Sequence, residues 1–207
     1  MSESRVSNPE TRTRRPSYLL QAWLVIFLSA LYAVILVSIQ INLSEKIEAN
    51  KKKKTFAQIP TLVDGADPSK TRELKIEGKD GKPATVLQVF DANGQHIGWV
   101  FPGKGQGFGD VIALLVGLDR TVETLTGISV LEQKETPGLG NFIEDELFRS
   151  QFVGKSTSIP LAAVTGEPAR PQDIRALTGA TISSKAVCDI VNQSVQLYRA
   201  PALEAGK

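Results

Sequence analysis

Residues 85–101 read TVLQVFDANGQHIGWVF: two runs of β-branched, aliphatic and aromatic side chains, Thr85–Phe90 and Ile97–Phe101, joined through Asp91-Ala92-Asn93-Gly94. Asn and Gly tolerate positive φ, so a turn of this composition between two such runs predicts a β-hairpin. Working outward, Glu73–Ile76 is a short strand upstream. Downstream, a glycine-dense loop (Gly103, Gly105, Gly107, Gly109) leads to strands at Val111–Gly117 (VIALLVG) and Gly127–Glu132 (GISVLE). Asn141 is placed to cap a helix over Phe142–Gln151, with Glu144, Asp145 and Glu146 near the positive end of its dipole. A longer C-terminal helix, capped by Ser183 or Ser184, carries Ala186, Val187, Ile190, Val191, Val195 and Tyr198 at three- and four-residue steps. That spacing makes one buried face, and Pro201 is expected to end the helix. Strands followed by helices predict an α+β fold, a mainly antiparallel sheet with a C-terminal helix, over residues 61–200, with 201–207 as a frayed tail.

Further upstream, Tyr18–Leu43 forms 26 positions without an Asp, Glu, Lys or Arg. At about 1.5 Å per residue such a helix exceeds a hydrocarbon core of roughly 30 Å. The run is too long for a signal h-region of about 7–15 residues and is followed by charges instead of a small-residue cleavage pattern, which predicts an uncleaved single-pass transmembrane helix over 18–43. Residues 1–17 are read as a disordered tail and 44–60 as a juxtamembrane linker. Arg5, Arg12, Arg14 and Arg15 precede the span and Lys46 and Lys51 to Lys54 follow it, so the positive-inside rule does not orient it. Both clusters are placed to meet lipid headgroups.

The chain's net charge of +2 is concentrated there. The first 17 residues carry +2 and residues 44–56 carry +3, which leaves the stretch from 57 onward at −3. A slightly acidic domain offers no broad basic surface to phosphate backbones, so nucleic-acid binding is not expected. One cysteine, Cys188, and one histidine, His96, exclude an intrachain disulfide, an iron–sulfur cluster and a multi-cysteine zinc site. Cys188 falls in the C-terminal helix pattern as a small buried thiol, Trp99 reads as core, and His96 reads as a solvated hairpin residue.

The chemistry concentrates in Leu177-Thr178-Gly179-Ala180-Thr181-Ile182-Ser183-Ser184, ahead of the last helix. Gly179 and Ala180 let another molecule approach the backbone, a helix N-terminus offers free N–H groups, and Thr178, Thr181, Ser183 and Ser184 add hydroxyls. These residues permit an anion site and equally permit an ordinary loop with a serine cap. A second segment, Glu135-Thr136-Pro137-Gly138-Leu139-Gly140, combines a φ-fixing proline with two glycines and can present backbone amides and Leu139 to a flat ligand.

Together TGATISSKAV and ETPGLG resemble the motifs of the FMN-binding domains of the Rnf and Nqr respiratory complexes, and GQGFGDVIALLVGLD is also similar to that family. The resemblance covers almost the whole chain and is to the FMN-binding RnfG/RsxG family of Rnf-type complexes, with the related and usually longer NqrC of the sodium-pumping NADH:quinone complex as the alternative. It implies FMN bound covalently through a phosphoester to Thr181, with Thr178, Gly179, Ala180, Ser183, Thr136, Leu139 and Gly140 around it. It further implies an electron-transfer component of an ion-translocating ferredoxin:NAD oxidoreductase, not active alone. Its partners would be other membrane and iron–sulfur subunits and a flavin transferase for maturation. The family's topology places the domain on the periplasmic, outer side of the inner membrane. A reading from a different class is a membrane-tethered module that holds flavin loosely or scaffolds other subunits. The family often has an acidic residue six positions before the flavinylated threonine; here that position is Arg175, and Asp173 lies eight before.

Overall fold

The computed structural model describes residues 18–206, so the expected N-terminal tail and Lys207 lie outside the described residues. Helix α1 begins at Tyr18 and runs to Leu62. Residues up to Asn50 form one compact unit and those from Lys51 onward another. In the first unit the large apolar side chains from Trp23 to Leu43 are exposed, and the helix is long and apolar enough to cross a membrane.

The juxtamembrane stretch over 44–60 continues the helix, and from Lys51 it belongs to the folded unit. Lys, Glu, Ala and Gln favour the helix, while Phe56, Ile59 and Val63 recur at three- and four-residue steps and turn inward, Ile59 and Val63 being buried. Ion pairs from Lys51 to Glu132 and from Lys52 to Glu73, each 3.2 Å, fix the same stretch at its rim.

The domain is built on a five-stranded antiparallel meander: β1 (Arg72–Glu77), β2 (Pro83–Phe90), β3 (His96–Gln106), β4 (Val111–Asp119) and β5 (Leu125–Glu132) in sequence order. The expected hairpin joins β2 and β3, with Leu87 opposite Val100. Its turn is closed by Asp91, whose carboxylate accepts from the N–H groups of Asn93 (2.9 Å) and Gln95 (2.7 Å). Side-chain alternation divides the core in two. Trp99, Phe101, Ile112, Leu114 and Val116 pack under α3 (Thr181–Ala205), while Leu87, Val89, Val100 and Leu115 pack with Ile59, Leu62 and Val63. Gly103 and Gly105, expected in a loop, lie within β3. A Cβ at either would stand 2.7 or 2.6 Å from Ile190, so their lack of side chains lets α3 settle on the sheet.

Between β5 and α3 come a 3-10 turn (Gly140–Glu144), the one-turn helix α2 (Glu146–Arg149), a second 3-10 turn (Ser150–Phe152), and a parallel pair, β6 (Ala162–Val164) with β7 (Asp173–Arg175). The expected helix over 142–151 is thus broken at Asp145, which is extended, and Asn141 caps nothing. A continuous helix would turn Ile143 and Phe152 to opposite sides at roughly 100° per residue; the break lets both be buried. Pro201 does not end α3. The carbonyl it leaves without an intrahelical donor, that of Leu197, accepts the N–H of Lys79 at 3.2 Å, and Ala202 beyond it is buried.

Candidate functional site

The end of α3 is set by a tight turn. The N–H of Ala180 donates to the carbonyl of Leu177 at 3.0 Å across Thr178-Gly179, and Gly179 sits at φ +78°. That is the arrangement of a type II turn, whose third residue requires positive φ. The Glu135–Gly140 segment repeats it: Leu139 N–H donates to the Thr136 carbonyl at 3.2 Å across Pro137-Gly138, with Gly138 also at φ +78°. Leu139 is exposed and lies against the first turn, its Cδ2 only 2.9 Å from where a Cβ on Gly179 would stand. The structure therefore brings the two motifs into contact.

The expected serine cap on α3 is corrected. Ala180 occupies the capping position and offers no side-chain cap, and among the described residues no side chain bonds the first-turn amides. Ser184 Oγ instead donates to the Ala180 carbonyl (2.9 Å) and accepts the N–H of Leu177 (3.0 Å), while Ser183 Oγ donates to Glu135. The N–H groups of Thr181, Ile182 and Ser183 are left without intrahelical acceptors, and the helix dipole adds partial positive charge there. Thr181, the first helical residue, is exposed, as is Lys185 in the same turn.

Beneath lies Glu135, which is 4% exposed. Its carboxylate accepts the N–H of Phe108 (3.2 Å), the N–H of Gly109 (3.1 Å) and the hydroxyl of Ser183 (2.5 Å). It thereby joins the β3–β4 turn, its own loop and α3. Space for it comes from Gly107, where a Cβ would stand 2.2 Å from Oε1, and Gly140, where a Cβ would stand 2.8 Å from both Glu135 Cβ and Ser183 Oγ.

Of the residues singled out from the sequence, Thr178, Gly179, Thr181, Thr136 and Leu139 are exposed, and Ala180, Ser183 and Gly140 are buried beneath them. The Ser183 side chain is committed to Glu135, so its hydroxyl faces inward. The function of Glu135 was not read from the sequence. Its one signal was an acidic residue in a turn segment that otherwise has no need of charge. At the edge of the site, the N–H of Val111 and then Lys134 hold the Asp110 carboxyl below the usual carboxylate range. His96, away from the site, is not the solvated residue expected: it opens β3 half-buried, its ring edge-on to Trp99 at 4.8 Å, and burial lowers its pKa. Arg175 pairs with Glu167 at 2.8 Å, and the buried Asp173 is occupied by the backbone N–H groups of Ala169 and Arg170 and by the Arg170 side chain.

The FMN-binding domain family matches residues 107–196, a span that holds Gly107, Glu135–Gly140 and Thr178–Ser184. The G subunit of the Na(+)-translocating ferredoxin:NAD(+) oxidoreductase complex of Acetobacterium woodii is 35% identical over 162 residues, covering 73% of this chain and 77% of that protein. The chain belongs to the G-subunit family of ion-translocating oxidoreductase complexes. Another relative, the G subunit of the ion-translocating oxidoreductase complex of Methanosarcina acetivorans, is 31% identical over 155 residues, covering 74% of this chain and 78% of that one. Among solved structures, Shewanella oneidensis NqrC superposes with a TM-score of 0.53 at 25% identity, over 68% of this chain and 72% of that chain. The α+β fold of this G-subunit homologue is thus shared with a component of an Nqr complex.

Proposed function

We propose that this chain carries FMN as a phosphoester on Thr181 Oγ and relays electrons through it within an Rnf-type membrane complex. The observation that supports this best is the uncapped first turn of α3, with the exposed residue Thr181 at its head and Leu139 beside it. The chain's own groups fit a flavin phosphate: free amides and a helix dipole suit the anion, Thr181 Oγ supplies the ester oxygen, and Gly179 allows close approach. Forming the ester requires a flavin phosphate activated as an anhydride, as in a flavin dinucleotide. Thr181 Oγ bonds to phosphorus, the anhydride bond breaks, a nucleoside monophosphate leaves and the hydroxyl proton passes to solvent.

When bound, FMN supplies electron transfer through its ring. Thr181 would hold the cofactor by its phosphate, and Leu139 and the 136–139 turn would offer an apolar flank to it. Residues 18–43 anchor the chain in the inner membrane with the FMN domain on the outer side, and no charged residue interrupts that span to form an ion path. Its partners are the other membrane and iron–sulfur subunits of the complex, and a flavin transferase loads it.

The test is denaturing electrophoresis of the membrane-purified chain, expressed with a flavin transferase, viewed under ultraviolet light and followed by peptide mass analysis. Fluorescence in the band, with the Thr181 peptide heavier by FMN less water, is expected, and Thr181→Ala abolishes both. A dark band at unmodified mass, or retained covalent flavin in Thr181→Ala, overturns the assignment.

A further inference from the structure

We infer that Glu135 is a positioning residue for flavin attachment, acting through Ser183 to hold the first turn of α3 open and the Thr181 hydroxyl outward. The inference rests on the reading of Thr181 given above and adds a buried residue that reaches the first turn of α3 through Ser183.

Burying a carboxylate is unfavourable unless donors surround it. Here a 4% exposed carboxylate is met by three, drawn from segments 26, 27 and 48 residues away in the chain. Two are successive amides of the β3–β4 turn, and the third is the side chain of the third residue of α3. A serine in a helix's first turn, left to itself, bonds local backbone groups. Bonded to Glu135 instead, Ser183 is withheld from the amides of that turn, which stay free for a phosphate. The same bond draws the first turn onto the loop that carries Leu139. Gly107 and Gly140 leave the space this bond needs, since a Cβ at either would collide with Glu135 or Ser183.

The experiment uses the full-length apo chain in detergent, from cells lacking the transferase, with purified flavin transferase and flavin adenine dinucleotide. Ser183→Ala is the mild variant and Glu135→Gln the isosteric one. For both, kcat for flavin transfer to Thr181 is expected to fall at least tenfold, with KM for the chain within twofold of native, because the surface the transferase meets is unchanged. The double variant is expected to be no slower than the slower single one, since both remove one interaction. Hydrogen exchange on the apo chains gives a readout independent of flavin. One of the Phe108 and Gly109 amides loses protection in Glu135→Gln, since glutamine keeps a single carbonyl oxygen, and the Ser184 amide, which donates to the Ala180 carbonyl in the first turn of α3, exchanges faster in Ser183→Ala. A purely structural role would lower the melting temperature and leave kcat of the folded chain unmoved, and that result overturns the inference. Unchanged exchange at α3 in Ser183→Ala also overturns it. A native chain that takes up no flavin at Thr181 refutes the underlying reading and this inference with it; native loading with native-like variants refutes the inference alone.

Discussion

Gly117 and Gly127 face each other across β4 and β5, yet alanine should act on them with opposite sign. A Cβ on Gly117 would stand 2.6 Å from Thr126 Oγ1, 2.9 Å from the Leu62 carbonyl oxygen and 3.1 Å from Leu62 Cβ. Two of these atoms belong to the last turn of α1, which is held by the buried Ile59, Leu62 and Val63, so the neighbour cannot yield cheaply. A Cβ on Gly127 would meet nothing closer than Leu62 Cδ2 at 3.7 Å, an ordinary contact. Removing a glycine from a strand by itself gains roughly 0.5–1 kcal/mol, and overpacking costs about 1–3 kcal/mol. Gly117→Ala is therefore expected to lose about 1–2 kcal/mol, and Gly127→Ala to gain roughly 0.5 kcal/mol. The assay is urea unfolding of the full-length chain in detergent, followed by near-ultraviolet circular dichroism of the buried Trp99. With an m-value of about 2 kcal/mol/M, the midpoint moves down by roughly 0.5–1 M in the first variant and up by about 0.3 M in the second. If Gly117→Ala is as stable as Gly127→Ala, the close seating of the last turn of α1 on the sheet, and the inclusion of residues 51–62 in the domain, are wrong.

Three further outcomes are expected. Gly179→Ala forces a side chain to φ +78° and into Leu139, losing about 1–3 kcal/mol; thermal melts and flavin loading at Thr181 should both fall. Burial, and then Asp189, push the Cys188 thiol up to about 12, so it should resist maleimide at pH 8 in the native chain and react once the chain is unfolded in urea. Burial holds the His96 pKa below its ordinary value of 6.5, so the unfolded chain takes up the proton first. The associated stability is present above pH 6.5 and is lost as pH falls through the folded-state pKa. Melts at pH 7.5 and 5.5 should differ less for His96→Gln than for the native chain.

The meander was legible because its signals are local. The Asp-Ala-Asn-Gly turn and the β-branched, aliphatic and aromatic runs at Thr85–Phe90, Ile97–Phe101 and Val111–Gly117 each carry their own instruction, and the strands found differ from those expected mainly at their ends. What could not be read depended on distant partners. Pro201 ends a helix only if its freed carbonyl is left stranded, and the N–H of Lys79, 118 positions upstream of Leu197, prevents that. The lysine run at 51–54 looks like a solvated linker until Glu73 and Glu132 are brought beside it by the sheet. The acidic stretch 144–146 suggests one continuous helix, but burying Ile143, Phe148 and Phe152 together requires a break at Asp145.

The site shows the same division. Pro137-Gly138-Leu139 was legible as a turn and Thr178-Gly179-Ala180-Thr181 as a loop open to close approach, because both rest on local residue chemistry, and Gly138 and Gly179 are each found at +78°. The sequence also supports a serine cap on α3, since serine favours that position on local grounds. A cap at Ser183 or Ser184, however, would have consumed the amides that an anion needs and shifted the start of the helix past Thr181. The fold prevents this at a distance: Ser184 is turned back onto Leu177 and Ala180, and Ser183 is drawn down to a glutamate 48 residues earlier. Local propensity and the fold conflict at the residues where a ligand would bind, which is where a functional site is expected to break local rules. The missing cap is therefore stronger support for an anion at Thr181 than the hydroxyls of Thr178, Thr181, Ser183 and Ser184.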